Sequence, residues 1–248
     1  MNIKTVLLSG ICATALGASA LAADLPPRAP YIAVPPVPQF SWSGCYVGGN
    51  IGYGQARRNW NATVTTPSTF FTSQGTNAGG FVGGGQLGCD YQMGNWVFGI
   101  EGMFDGSTIN KTSGVNAIPG ATLTDKVGSF ETATGRIGWA IDRSLFYVKG
   151  GAAWEQTSGT INGAALGLAT ETHSATNGGW VLGGGIEYAF APQWSAKVEY
   201  DYMGFGNRTV GYPITTAGTV QFTNQSLQTI LVGLNYRFNG SAAAGARY

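Results

Sequence analysis

The stretch Ser226-Leu227-Gln228-Thr229-Ile230-Leu231-Val232-Gly233-Leu234-Asn235-Tyr236-Arg237-Phe238 sorts its side chains by parity. Ile230, Val232, Leu234, Tyr236 and Phe238 fall on one side; Thr229, Leu231, Gly233, Asn235 and Arg237 fall on the other. A period of two means a strand with one oily face and one mostly small or polar face. The pattern recurs along the chain, and no helical stretch is left over to cover an oily face. Lipid is therefore the expected partner of that face.

Seven further strands are expected, at about 45–55, 79–91, 96–105, 128–141, 145–156, 175–190 and 194–205. Tight turns join three pairs of them, at Gln92-Met93-Gly94-Asn95, Asp142-Arg143-Ser144 and Ala191-Pro192-Gln193. Long connections rich in Asn, Thr, Ser and Gly alternate with these turns, at about 56–78, 106–127, 157–174 and 206–224. An even-stranded meander with turns at one end and loops at the other predicts an all-β fold. Its form is an eight-stranded antiparallel up-and-down transmembrane β-barrel, long loops outside the cell and short turns in the periplasm. Closure is required, because backbone groups in hydrocarbon have no water to pair with.

Aromatic positions agree with this orientation. Tyr91, Trp96, Trp139, Phe190, Trp194, Tyr236 and Phe238 all lie at short-turn ends on the outward parity, as a membrane-interface girdle requires. The inward parity collects Glu101, Asp105, Arg136, Lys149, Glu155, Glu187, Lys197, Glu199, Asp201 and Arg237. On the lipid side an Arg or Lys at the midplane would cost ~2–4 kcal/mol each. Inside, the charges can pair. A lumen belt of Glu101, Arg136, Lys149, Glu187, Lys197 and Glu199 is expected, in which flanking glutamates make the neighbouring cations Arg136 and Lys149 tolerable. Symmetric hairpin registers set Glu187 opposite Lys197 and Gln86 opposite Glu101. The competing interpretation is a wet pore lined by solvated charges. An eight-strand interior is just wide enough to be filled by side chains, although glycines on the inward parity, such as Gly48, Gly52, Gly84 and Gly88, leave room for a narrow water path.

Residues 1–22 read as a cleaved secretory signal, with Lys4, an apolar core and Ala20-Leu21-Ala22 before Ala23. A Pro-rich periplasmic linker, 23–41, comes next; the barrel spans 42–238, and a tail, 239–248, follows it. Charged residues make up only 10% of the chain and the formal net charge is +1, which gives no electrostatic case for nucleic-acid binding.

Catalytic and cofactor motifs are weak. Gly83-Gly84-Gly85-Gln86-Leu87-Gly88 matches G-x-G-x-x-G, but it lies within a strand and lacks the helix N-terminus that cradles a phosphate. His173 is the only histidine, too little for a metal site. No cofactor and no enzymatic activity are expected. Cys12 lies in the leader, so Cys45 and Cys89 are the remaining cysteines. They share the outward parity at the short-turn ends of neighbouring strands, which favours a cross-strand disulfide in an oxidising compartment over two free thiols.

The segments Phe40-Ser41-Trp42-Ser43-Gly44-Cys45-Tyr46-Val47-Gly48-Gly49-Asn50-Ile51-Gly52-Tyr53-Gly54, Gly83-Gly84-Gly85-Gln86-Leu87-Gly88-Cys89-Asp90-Tyr91-Gln92 and Val232-Gly233-Leu234-Asn235-Tyr236-Arg237-Phe238 resemble the small porin-like outer-membrane β-barrel family of alphaproteobacteria. The resemblance spans about 40–238. It implies an eight-stranded, OmpA-like barrel in the cell outer membrane, an abundant surface protein that supports envelope integrity; some relatives are described as porins and some as haem binders. Such barrels end on the aromatic that the assembly machinery reads, whereas here 239–248 follow Phe238. Implied partners are outer-membrane lipids and that machinery, with the oligomeric state open. Expected function is mainly structural, around a narrow polar lumen. The alternatives are a passive porin for small hydrophilic solutes and a loop-borne site for haem or another ligand.

Overall fold

The structure is a computed structural model that describes residues 40–64, 70–114, 122–162, 170–212 and 218–238. The expected signal peptide, the linker up to residue 39 and the tail 239–248 lie outside the described residues. The strands are β1 (Gly44–Val64), β2 (Phe70–Met93), β3 (Trp96–Ser107), β4 (Asn110–Gly114), β5 (Thr122–Ile141), β6 (Ser144–Asn162), β7 (Glu171–Ala191), β8 (Trp194–Phe205), β9 (Arg208–Tyr212) and β10 (Gly218–Arg237). β4 prolongs β3 along β5, and β9 prolongs β8 along β10, so the ring has eight staves. All pairings are antiparallel, and β1 pairs with both β2 and β10. The β1–β10 pairing closes the ring.

The strands outrun the expected boundaries. Much of 56–78, 106–127, 157–174 and 206–224, read from sequence as loop, continues the ladder as polar hairpin arms. On these arms the inward face still buries side chains such as Arg58, Trp60, Leu123 and Ile161, while the outward face turns polar, as at Arg57, Asn59 and Lys126. Alternation of oil and charge therefore fades, although the backbone hydrogen bonds continue. His173, expected in a loop, lies in β7 opposite Gly159, and the G-x-G-x-x-G run lies within β2.

Three two-residue turns close the other end: Gly94-Asn95, Asp142-Arg143 and Pro192-Gln193. Gly94 has φ 62° and Asp142 has φ 51°; glycine takes this left-handed region freely, and aspartate is among the few other residues that do. The Pro192-Gln193 turn, with a bulge between Ala189 and Ala191, sets Glu187 opposite Lys197, as expected. At Gly94-Asn95 the expectation fails: Gln86 faces Met103, and Glu101 faces Gly88. The positive φ at Gly94 lets two residues turn the chain where four were assumed, so Gln92 and Met93 remain in β2.

Outward faces are apolar along most of the wall; Ile51, Leu87, Ile100, Val148, Val198 and Val232 are each about half exposed or more. Tyr91, Trp96, Trp139, Phe190, Trp194, Tyr236 and Phe238 ring the short-turn end on this face. Trp96 meets Trp139 edge-on at 4.9 Å between centroids, and Tyr236 lies between Trp194 at 5.2 Å and Phe238 at 5.5 Å. Cys45 and Cys89, opposite each other on β1 and β2 and also outward, form a disulfide.

Candidate functional site

Alternation that turns oil outward turns the other parity into the ring, where eight strands bring distant residues together. The interior is filled in layers. At the short-turn mouth Trp42, Val97, Ala140, Leu145, Tyr147 and Ala189 form an apolar floor, with Phe40 packed against it. Trp42 precedes β1 and is fully buried. Its N–H donates to Gln92 Oε1 at 2.7 Å, its carbonyl accepts from Arg237 Nη1 at 3.0 Å, and the Arg237 guanidinium lies 4.5 Å from its ring centroid.

Above this floor lies the charged layer. Arg136 and Lys149 are direct neighbours on β5 and β6, and their charged ends find separate partners. Arg136 forms a short ion pair with Asp90 and reaches Glu187 at 3.2 Å and Glu101 at 4.0 Å. Its guanidinium lies between the rings of Tyr46 and Tyr147, at 4.8 and 5.1 Å. Lys149 pairs with Glu101 at 3.1 Å, Glu199 at 2.7 Å and Asp201 at 3.3 Å. Lys197 pairs with Glu101 at 3.1 Å and Glu199 at 3.2 Å, and Arg237 pairs with Asp90 at 3.0 Å and Glu187 at 3.2 Å.

Neutral donors complete the layer. Tyr46 donates to Glu101 at 2.8 Å and Tyr147 to Glu199 at 2.6 Å, while Ser195 and Asn235 donate to Glu187. All the charged side chains of this layer are buried. Ions so far from water are tolerable only when paired; each of these has an ion-pair partner, although the Asp201 oxygens accept no hydrogen bond.

All six residues of the expected belt meet here, and the structure adds Asp90, Asp201 and Arg237. Asp90 and Arg237 carry the same parity signal but lie closer to the short-turn ends of their strands. The barrel's stagger brings them beside Arg136. Glu187 and Lys197, though opposite in register, do not pair: Glu187 turns to Arg136 and Arg237, Lys197 to Glu101 and Glu199. Gln86 joins Asn50 and Asn235 instead of Glu101.

The inward glycines admit this layer. A Cβ on Gly88 would lie 2.4 Å from the Tyr46 hydroxyl, and one on Gly183 would lie 1.9 Å from Asp201 Oδ1. At these two positions the space that glycine leaves is taken by neighbouring polar side chains.

Beyond the charges the interior turns apolar again. Val82, Met103, Phe130, Val181, Met203 and Leu231 are buried together with Phe205, Leu227 and Ile109 in one apolar cluster, referred to below as the stopper. The lumen expected to be polar is so in its lower part, and above that its lining is hydrocarbon. These residues sit on the inward parity, so the sequence displays apolar side chains on a face that is polar elsewhere. Above the stopper Arg58 pairs with Asp125 at 2.6 Å and with Glu155 at 3.1 Å. Among the described residues no group of three or more His, Cys, Asp or Glu side chains could hold a metal ion.

A family model described as outer membrane protein beta-barrel domain matches residues 10–238. The chain is 35% identical to a 31 kDa outer-membrane immunogenic protein of Brucella melitensis, over 95% of this chain and 100% of that protein. It is 27% identical to a 25 kDa outer-membrane immunogenic protein of Brucella abortus, over 96% of this chain and 99% of that one. Among solved structures it is similar to the outer membrane protein OprG of Pseudomonas aeruginosa, with TM-score 0.52 and 12% identity, covering 81% of this chain and 100% of that one. That likeness concerns the fold.

Proposed function

This chain belongs to the outer membrane protein beta-barrel domain family, and on that premise we propose that it works as a sealed structural element of the outer membrane. It is an outer-membrane β-barrel protein. The observation that carries the structural role is the filling of its interior by three barriers in series: the Trp42 floor, the charged layer, and the stopper around Met103, Phe130 and Met203. A passive porin needs continuous water past all three. An apolar constriction of packed side chains opposes ion passage even where the charged layer could hydrate.

On this reading the barrel adds a rigid, non-enzymatic wall to the envelope. The carboxylates and bases of the charged layer are engaged with each other inside the ring rather than aimed at an open cleft. Its polar hairpin arms face the exterior; the immunogenic character named for the Brucella relatives accords with arms presented at a surface. Insertion through the barrel-assembly machinery and contact with outer-membrane lipids complete the proposal. Planar-bilayer recording tests it: a silent bilayer containing verified, folded barrels is expected, and steady ion-sized current steps would overturn the sealed-wall reading in favour of the porin.

A further inference from the structure

One carboxylate breaks the rule that charge points inward. Glu131 lies on the outward parity of β5, in register between Phe104 of β3 and Trp154 of β6. It is partly buried against the wall, and among the described residues no cation pairs with it. It stands about ten residues from the Asp142-Arg143 turn, the length of a membrane-spanning strand, ~9–11 residues. That puts it at the outer interface of the bilayer, where an acid is far less costly than at the midplane. Phe104, Trp154 and Trp180 are exposed at this end of their strands and make a second aromatic band.

A trough of about 500 Å³ runs down the lipid-facing wall from Glu131 and Trp154, past Phe104 and Gly102, to Leu87 and Val47. Gly102 forms part of its floor, and a Cβ placed there would have no atom within 4 Å. Further out on the same face a second hollow, about 350 Å³, is bordered by Lys126, Gln156, Ser158, Ser174 and Thr176. Lys126 is exposed and unpaired among the described residues. Along β5 the acid and the amine are separated by roughly 16 Å at strand rise.

From the bilayer outward, the wall therefore offers an apolar trough, an indole beside a carboxylate, a patch of hydroxyls and an amide, and an ammonium. We propose that this face binds one outer-leaflet glycolipid, an acylated and phosphorylated saccharide. An acyl chain lies along Leu87 and Gly102. The sugar ring stacks on Trp154 while its hydroxyls donate to Glu131, and a phosphate meets Lys126. A zwitterionic phospholipid suits the trough, but it has no sugar for the Trp154 and Glu131 pair and no hydroxyls for the patch beyond. The assignment rests on the barrel's place in the outer membrane and not on its lumen being closed.

The test is native mass spectrometry of the folded barrel in detergent, titrated with bisphosphorylated lipid A and, in parallel, with phosphatidylethanolamine. A one-to-one lipid A adduct is expected, favoured over phosphatidylethanolamine by about tenfold or more. Gly102→Leu, which fills the trough, and Lys126→Glu, which sits on an exposed arm, should each weaken the adduct by about tenfold. Unchanged heat-induced gel mobility shows that each variant is still folded. Equal retention of both lipids, no lipid A adduct, or a lipid A adduct unaffected in a folded variant would overturn the site. Planar-bilayer conductance reads the lumen separately, so a failure of the sealed-wall role would not be mistaken for failure of the lipid site.

Discussion

Arg136 and Lys149 sit side by side across β5 and β6, two cations in direct register, and the barrel holds them by sending their charges to different acids. Arg136 takes Asp90 and Glu187, Lys149 takes Glu199 and Asp201, and Glu101 lies within reach of both. The juxtaposition is stable only while both sets of carboxylates are present.

Replacing Arg136 with Met should therefore destabilise the barrel although a hydrophobic residue enters. Asp90 and Glu187 retain Arg237, but lose the cation stacked between Tyr46 and Tyr147. Breaking one side of a buried ion pair costs about 3–5 kcal/mol. Circular dichroism melts in detergent should show a lower unfolding temperature, and an unchanged one would contradict the paired layer.

Glycines of opposite parity should respond differently to the same change. Gly183→Ala puts a methyl 1.9 Å from Asp201 Oδ1 and 2.8 Å from the Tyr200 carbonyl, whereas Gly102→Ala adds it where nothing lies within 4 Å. Overpacking should cost the first variant about 1–3 kcal/mol, with little effect in the second. Urea titrations of refolded barrels compare the two.

The disulfide should be supportive and not essential to the topology. Cys45 and Cys89 are already neighbours through the β1 and β2 ladder, which closes without the sulfur bridge. Intact-mass alkylation of the native chain should find no free thiol at these positions before reduction and two after it. The double change to Ala should still give a folded barrel, less stable by about 2–4 kcal/mol.

A charge placed on the oily face measures the membrane itself. Val148 points outward near the middle of the span and is 57% exposed. Val148→Arg should cost about 2–4 kcal/mol in lipid vesicles, read as a lower midpoint in denaturant-driven unfolding. The same protein in plain buffer offers no comparable reference, because the wall needs lipid or detergent around it.

Trp42 offers a separate check on the floor. Trp42→Ala removes the ring under Arg237 and opens the short-turn mouth, at a cost of about 3–5 kcal/mol. Bilayers containing this variant should remain silent, because the stopper around Met103 and Phe130 still closes the ring. Current steps from Trp42→Ala alone would show that the stopper does not seal.

The alternation of Ile230, Val232 and Leu234 with Thr229, Gly233 and Asn235 was enough, by itself, to assign faces, because side-chain direction in a strand depends only on parity. From that followed the closed ring, the aromatic girdle, the neighbouring cysteines and the inward collection of charge. The Pro192-Gln193 register was also legible. The Gly94-Asn95 register was not, because a single positive φ shortened the turn and moved Gln86 away from Glu101. Which acid meets which base was settled only by closure. Arg136 reaches Asp90, and Arg237 reaches Glu187, across a stagger that linear spacing does not reveal. How Trp42 and the stopper residues come together belongs to the tertiary structure for the same reason: a residue's face is local, but its partner across an enclosed interior is set by the curvature and shear of the whole ring.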